Sequence, residues 1–144
     1  MSGATVGVAE VATVHVAIVD ARAAQGLLKG RKRVESRFAR RRRLPYGRIS
    51  VGDLVYFKLS GGTIIGHSTA LRVHQFDQLT PGAIDRLRCR FNRRIHAPAS
   101  YWQARRHCRY GVLIWLSGFT ARLTALAVPR QYGSGWVLLS AAGR

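Results

Sequence analysis

The stretch LLKGRKRVESRFARRRR, residues 27–43, raises the main question about this chain. It is densely basic, yet it holds one carboxylate, Glu35, between Lys32 and Arg37. A carboxylate flanked by two cations stays ionised and holds their geometry. It can also accept hydrogen bonds from a nucleobase amine or position a water for attack. The alternative is that Glu35 only balances the neighbouring charges.

The same stretch predicts a strand over residues 33–38. Side chains alternate between two faces of a strand, which places Val34 and Phe38 on one face and Glu35 and Arg37 on the other. The apolar face should pack on the core, so we expect the charged face to line a cleft. Gly30 should end the helix that precedes this strand.

The charge of the whole chain predicts a polyanionic partner. Its 144 residues include 24 Lys or Arg and 6 Asp or Glu, a formal net charge of +18. Two blocks, residues 29–48 and 86–109, hold 10 and 8 of these basic residues, which is 18 of the 24. Such a field concentrates phosphates, so we expect RNA or another nucleic acid as the partner. A GC-rich genome is an alternative cause of the excess of arginine over lysine, but it leaves the net charge unexplained.

Length and composition predict one domain with its own core, since 47% of the residues are hydrophobic. We place an N-terminal extension at residues 1–13, the domain at 14–140 and a short tail at 141–144. The N-terminal stretch has no basic start and is interrupted by Glu10 and His15, which predicts neither a signal peptide nor a membrane span. The expected location is the cytoplasm. Cys89 and Cys108 lack a CxxC partner, and no histidine has zinc-site spacing, so no metal, cofactor or disulfide is expected.

The remaining pattern is mostly β. Strands are predicted at residues 14–19, 54–59, 63–73, 110–116, 119–128 and 136–139. Gly66 suggests a bulge within the third of these. Helices are predicted at residues 21–28, from an N-cap at Thr80, and at 100–107. The expected fold is therefore α+β, a small β-barrel with inserted short helices.

A family resemblance rests on the motif and on this order of elements. GRKRVESR, residues 30–37, resembles the GxKxxExR motif of the ASCH domain family, which is related to the RNA-binding PUA domains. The segment ISVGDLVYFKLSGGTIIG at 49–66 and the closing strand WVLL are similar to the family's strands. The resemblance implies a PUA-like barrel with a cleft beside the motif, and a role around RNA or modified nucleotides.

One enzyme branch of that family removes acyl groups from modified cytidine with a Lys, a Thr and a Glu. The resemblance places its Lys at Lys32, but the Thr position is occupied here by Glu35. No glutamate follows residue 35, so the constellation is incomplete and that activity is not expected.

Two functions from different classes remain. The leading hypothesis is an RNA-binding module whose nucleic-acid-binding residues are Gly30, Arg31, Lys32, Arg37, Arg40, Arg41, Arg42, Arg43, Lys58, Arg105 and Arg106. The alternative is a hydrolase, either a ribonuclease or an amidohydrolase on a modified nucleoside, with Lys32 and Glu35 as its catalytic residues. A third hypothesis is an interaction module within a ribonucleoprotein complex. Tyr101 and Trp102, beside Arg105 and Arg106, form a pattern typical of surfaces that stack bases, although such a tryptophan is more often buried.

Overall fold

The computed structural model describes residues 12–124, 128 and 135–139. Within these ranges, seven strands and three helices follow one another in this order: β1 (Val14–Val19), α1 (Ala21–Leu28), β2 (Val34–Ala39), β3 (Leu54–Leu59), β4 (Ile64–Phe76), α2 (Pro81–Ile95), α3 (Ala99–Ala104), β5 (Tyr110–Leu116), β6 (Thr120–Thr124), β7 (Trp136–Leu139). The α+β class predicted from the sequence is confirmed. Within the predicted strand at 119–128, the structure describes β6 at Thr120–Thr124. Residues 125–127 lie outside the described ranges, as do residues 1–11 and the predicted tail.

The strands form one mixed sheet in the order β2-β5-β4-β3-β1-β7, and β6 pairs with β4 outside that sequence. β1 runs parallel to β3, and the other pairs are antiparallel. The long strand β4 pairs with β3 and β6 in its first half and with β5 in its second half. Among the described residues β2 and β7, at the two ends of the order, do not pair, so strand pairing does not close the expected barrel.

The predicted bulge at Gly66 is confirmed. Phe57 pairs with Gly66 and Lys58 with Ile64, which leaves Ile65 as an extra residue on β4. A Cβ atom at Gly66 would lie 2.3 Å from the Thr120 carbonyl oxygen. Only glycine therefore allows β6 to approach β4 at this point.

Two apolar clusters pack on opposite faces of the sheet. The first lies inside the curl and is built from several strands together with Leu27 of α1. The second lies between the sheet and the two later helices, where Ile84 and Leu87 of α2 and Trp102 of α3 are buried. The predicted N-cap of α2 is confirmed, because the Thr80 hydroxyl accepts a hydrogen bond from the Ala83 amide. α3 ends at Ala104, earlier than the predicted 107.

A buried hydrogen-bond network connects three parts of the fold: β1, β7 and the turn that precedes β3. His15 is fully buried, and its Nε2 donates to Asp53 Oδ2 at 2.8 Å. Its Nδ1 accepts from Trp136 Nε1 at 3.0 Å. Burial lowers the pKa of His15 although Asp53 acts to raise it, so the ring is neutral at pH 7. Asp53 Oδ2 also accepts from the Ser50 amide at 3.0 Å, within the turn before β3.

Candidate functional site

The motif turn is anchored on α1 and on the end of α2. The amides of Arg31 and Lys32 both donate to the Gly26 carbonyl, at 2.8 and 3.0 Å. Gly30, with φ of 74°, allows the chain to reverse after α1, as predicted. A Cβ atom at Gly26 would lie 3.1 Å from both the Lys32 Cβ and the His96 ring, so α1, the turn and the end of α2 meet tightly here.

Lys32 is buried and its ammonium group is fully used. Its Nζ donates to the carbonyl oxygens of Val34 and Ile95, at 3.2 and 2.9 Å, and lies 3.0 Å from Glu35 Oε1. These three partners account for the three N–H donors of a lysine. Ile95 is the last residue of α2, where a cation offsets the negative end of the helix dipole. Lys32 therefore fixes the motif turn to the end of α2.

Glu35 lies between the two cations and is 3% exposed. Its Oε2 accepts from Arg37 Nε at 2.7 Å, while Oε1 faces Lys32. Burial acts to raise the pKa of Glu35, but the charges and hydrogen bonds of Lys32 and Arg37 outweigh it and lower the pKa. The carboxylate is therefore ionised at neutral pH.

Arg37 spans the open side of the curled sheet. Its Nη1 donates to the Gly135 carbonyl and its Nη2 to the Ile18 carbonyl, both at 3.0 Å. The guanidinium also lies 5.2 Å from the centre of the Trp136 ring. Arg37 thus ties β2, one end of the strand order, to β1 and to the residue before β7 at the other end. The Arg37 side chain therefore connects the two ends of the sheet, which no strand pairing connects among the described residues.

A cleft of about 390 Å³ opens beside these three residues. β1 and α1 form one side of the cleft, and α3 forms the other side together with the segment that follows β2. Its cationic lining residues are Arg22, Lys32, Arg37, Arg41, Arg43 and Arg105. Its tyrosines are Tyr46, Tyr101 and Tyr110. Its two acids are already engaged: Glu35 pairs with the motif cations, and Asp20 caps α1 by accepting from the Ala23 amide. The cleft is therefore basic and partly aromatic.

Tyr101 and Arg105 form a stacked pair on the α3 side of the cleft. The Arg105 guanidinium lies 3.8 Å from the centre of the Tyr101 ring. The Tyr101 hydroxyl donates to the Ser36 carbonyl at 3.0 Å and lies 2.7 Å from the Ser36 hydroxyl. Burial raises the pKa of Tyr101, so the phenol stays protonated. The neighbouring Trp102 is buried in the second cluster. Of the two adjacent aromatic residues, Tyr101 is therefore the one that lines the cleft.

The structure brings some of the predicted site residues into the cleft and leaves others outside. Those in its lining are Lys32, Glu35, Arg37, Arg41, Arg43 and Arg105. Those outside it are Gly30, Arg31, Arg40, Arg42, Lys58 and Arg106. Arg106 instead pairs with Asp85 at 3.2 Å, and Lys58 lies half-buried on β3. The cleft lining also includes Arg22, Tyr46, His96 and Tyr110. No local sequence signal points to them, because only the tertiary fold brings them beside the motif.

No metal centre is evident in the part of the chain that the structure describes, where no three His, Cys, Asp or Glu side chains are grouped to hold an ion. Cys89 is exposed and Cys108 is buried, and both are free thiols. None of the helices within the described ranges combines the length and apolarity that a membrane crossing requires.

The sheet is curled and mixed, α2 and α3 pack on one face of it, and the motif turn docks on the end of α2. This fold is that of the ASCH domain. The crystal structure of ASCH from Zymomonas mobilis has a TM-score of 0.66 and 17% identity, covering 88% of this chain and 87% of that one. Its serine-to-alanine variant has a TM-score of 0.67 at 17% identity and 88% coverage of both chains. Its tyrosine-to-phenylalanine variant has a TM-score of 0.66 at 16% identity, covering 88% of this chain and 90% of that one.

No family model and no curated protein sequence matches the chain. Because the identities to the solved structures are 16–17%, these likenesses show the fold alone. The resemblance to the ASCH domain is confirmed at the level of the fold.

Proposed function

We propose that this protein binds RNA or another nucleic acid and takes one nucleotide into the cleft. The observation that carries the proposal is the lining of the cleft, where arginines from three separate segments converge around tyrosine side chains. Arginine suits phosphate oxygens and stacks on planar bases, and tyrosines offer apolar faces to bases. A cavity of about 390 Å³ falls in the range of small-ligand sites.

The proposal gives the lining residues distinct roles. Arg41 and Arg43, exposed on the segment after β2, would contact phosphates. The stacked pair of Tyr101 and Arg105 offers a planar guanidinium on which a base would lie. The ion-paired motif residues would form the rigid floor rather than the recognition surface, because Lys32 has no free N–H donor.

A hydrolase that uses Lys32 and Glu35 is the second candidate, since both side chains line the cleft 3.0 Å apart. Two observations weigh against it. The lowered pKa of Glu35 makes it a weak base, whereas a general base works best with a pKa near the working pH. The Lys32 ammonium would have to leave a helix end to donate a proton elsewhere.

The third candidate is assembly within a ribonucleoprotein complex, for which the exposed arginines of α2 are the observation. Five arginines of α2 are exposed and lie outside the cleft lining: Arg86, Arg88, Arg90, Arg93 and Arg94. In that case α2, and not the cleft, would carry most of the binding to nucleic acid.

The test is the affinity for a fluorescent single-stranded RNA of ten nucleotides, measured by anisotropy. Arg41→Gln with Arg43→Gln removes two charges from the cleft. Arg72→Gln with Arg122→Gln removes two charges from exposed positions outside it, as the matched control. We expect about a tenfold loss of affinity for the cleft variant, because two phosphate contacts are lost, and less than a threefold loss for the control.

Equal losses in the two variants would mean that net charge alone drives binding and would overturn the proposal. The same samples are run on a denaturing gel. RNA cleavage by the wild type that disappears in both Lys32→Met and Glu35→Gln, with both variants folded, would favour the hydrolase.

A further inference from the structure

A second concavity, the side groove, lies next to the cleft on the outer side of α1. Its lining residues are Ala21, Arg22, Gln25, Gly26, Lys29, Arg31 and His96. Arg22 and His96 line both the cleft and the side groove, so the two spaces share one ridge. A chain-like ligand that leaves the cleft over this ridge enters the side groove directly.

The side groove is cationic and carries no carboxylate in its lining. Arg22, Lys29 and Arg31 are exposed, and none of them forms an ion pair within the described residues. Arg37 and Arg106, by contrast, have carboxylate partners. The three cations of the side groove therefore present charge that no described acid neutralises.

The ridge between the two spaces is held in place by the backbone. The amides of Arg31 and Lys32 donate to the Gly26 carbonyl, and His96 adopts a left-handed conformation with φ of 61° at the end of α2. Its amide donates to the Asn92 carbonyl at 2.7 Å. The backbone at Arg31 and His96 is therefore fixed, and only the exposed side chains have to become ordered when an anion binds.

The positive field extends to the ridge itself. Partial burial, and then the charges of Arg22, Arg31 and Lys32, lower the pKa of His96. Cations that disfavour a proton on the imidazole would favour an anion beside it. Lys32 is already paired with Glu35, so Arg22 and Arg31 are the cations available on the groove side.

We propose that the side groove binds the phosphate adjacent to the nucleotide in the cleft, so that the ligand is a single strand of at least two linked nucleotides rather than a free nucleotide. This inference rests on the proposed function. Under this proposal Lys29 and Arg31 both contact the phosphate from the side groove, outside the cleft. The continuity of the two spaces over the Arg22–His96 ridge is what favours a strand over two independent anions.

The experiment compares three competitors of the labelled RNA of ten nucleotides: uridine monophosphate, uridine diphosphate and a 5′-phosphorylated uridine dinucleotide. In the wild type we expect the dinucleotide to compete at about tenfold lower concentration than the monophosphate, because it adds one groove phosphate that two cations, Lys29 and Arg31, would contact together. Uridine diphosphate carries two phosphates on one nucleoside, so its gain in affinity over the monophosphate should be smaller than that of the dinucleotide.

Lys29→Gln with Arg31→Gln should abolish the advantage of the dinucleotide and leave competition by the monophosphate within twofold of wild type. The slope of log affinity against log salt for the labelled RNA should become shallower by about 0.7, the contribution of one single-strand phosphate. The control, Arg72→Gln with Arg122→Gln, removes the same charge and should preserve the advantage of the dinucleotide.

The failures of the two proposals are distinguishable. If the RNA binds and the cleft variant weakens it, but the groove variant leaves the advantage of the dinucleotide intact, the side groove is not a phosphate site and only this inference fails. An advantage of uridine diphosphate equal to that of the dinucleotide would also overturn it, since a strand would not be required. If the wild type binds neither the RNA nor any competitor, the proposed function fails and this inference fails with it.

Discussion

Replacing Glu35 by Gln is the sharpest perturbation of the site, because it removes the one negative charge that holds Lys32 and Arg37 together. Glu35 is 3% exposed and each of its oxygens faces a different cation, at 3.0 and 2.7 Å. Leaving a buried charge without its partner costs about 3–5 kcal/mol. Gln keeps one oxygen that can accept one of the two hydrogen bonds, so we expect the lower end of that range, about 3 kcal/mol.

The assay is urea denaturation followed by circular dichroism, on a double-mutant cycle. Lys32→Met alone should cost a similar amount, because it leaves Glu35 with Arg37 only and frees the carbonyls of Val34 and Ile95. The double variant should cost less than the sum of the two single variants, by about 0.5–3 kcal/mol, which is the range for groups in direct contact. Arg72→Gln serves as a surface control and should change stability by less than about 1 kcal/mol.

The effect of the Glu35→Gln change should depend on pH in one direction. The folded-state pKa of Glu35 is lowered from its ordinary value of 4.5, so its contribution to stability is present above that value and is lost as the pH falls through the folded-state pKa. The difference in unfolding free energy between wild type and variant should therefore stay constant from pH 7 to 4.5 and shrink below it. A loss of less than 1 kcal/mol at pH 7, with additive single variants, would refute the buried ion-pair network.

Three further predictions follow from particular contacts. His15→Leu should cost about 2–5 kcal/mol in urea denaturation, because it removes the two buried hydrogen bonds that the imidazole makes with the Trp136 N–H and the Asp53 carboxylate; a cost below 1 kcal/mol would contradict it. Gly66→Ala should cost about 1–3 kcal/mol, since its Cβ would collide with the Thr120 carbonyl oxygen, and an unchanged melting temperature would show that β6 can move. The affinity for single-stranded RNA should fall with salt with a log–log slope near −3.5, as expected for about five neutralised phosphates, whereas a flat response would exclude phosphate contacts.

The fold follows closely from local sequence signals. Alternation in residues 33–38 predicted which side chains share a face, and the structure places Val34 in the helix-facing cluster and Arg37 on the opposite side, over Trp136. The N-cap at Thr80, the glycine stop at Gly30 and the bulge at Gly66 are each set by the conformational preference of one residue type. Signals of this kind act over a few residues, so they can be recognised without the tertiary structure.

The residues that line the cleft could not be predicted from local sequence signals in the same way. Tyr46 and Tyr110 are 64 positions apart, yet their rings meet at 5.4 Å because β5 pairs beside β2. His96 reaches the ridge only because α2 ends against the motif turn. The burial of Glu35 also depends on long-range contacts, since Arg37 reaches the carbonyls of Ile18 and Gly135 across the sheet opening. Sequence spacing contains no information on such distances.

Photocrosslinking tests the placement of a nucleotide in the cleft most directly. A single-stranded RNA with 4-thiouridine at each position in turn is irradiated with the wild-type protein, and the crosslinked residues are identified by mass spectrometry. We predict crosslinks at Tyr46, Tyr101 or Tyr110, which line the cleft, and their loss when Arg41 and Arg43 are replaced by Gln. Crosslinks confined to the exposed side of α2, unaffected by that double replacement, would contradict the account.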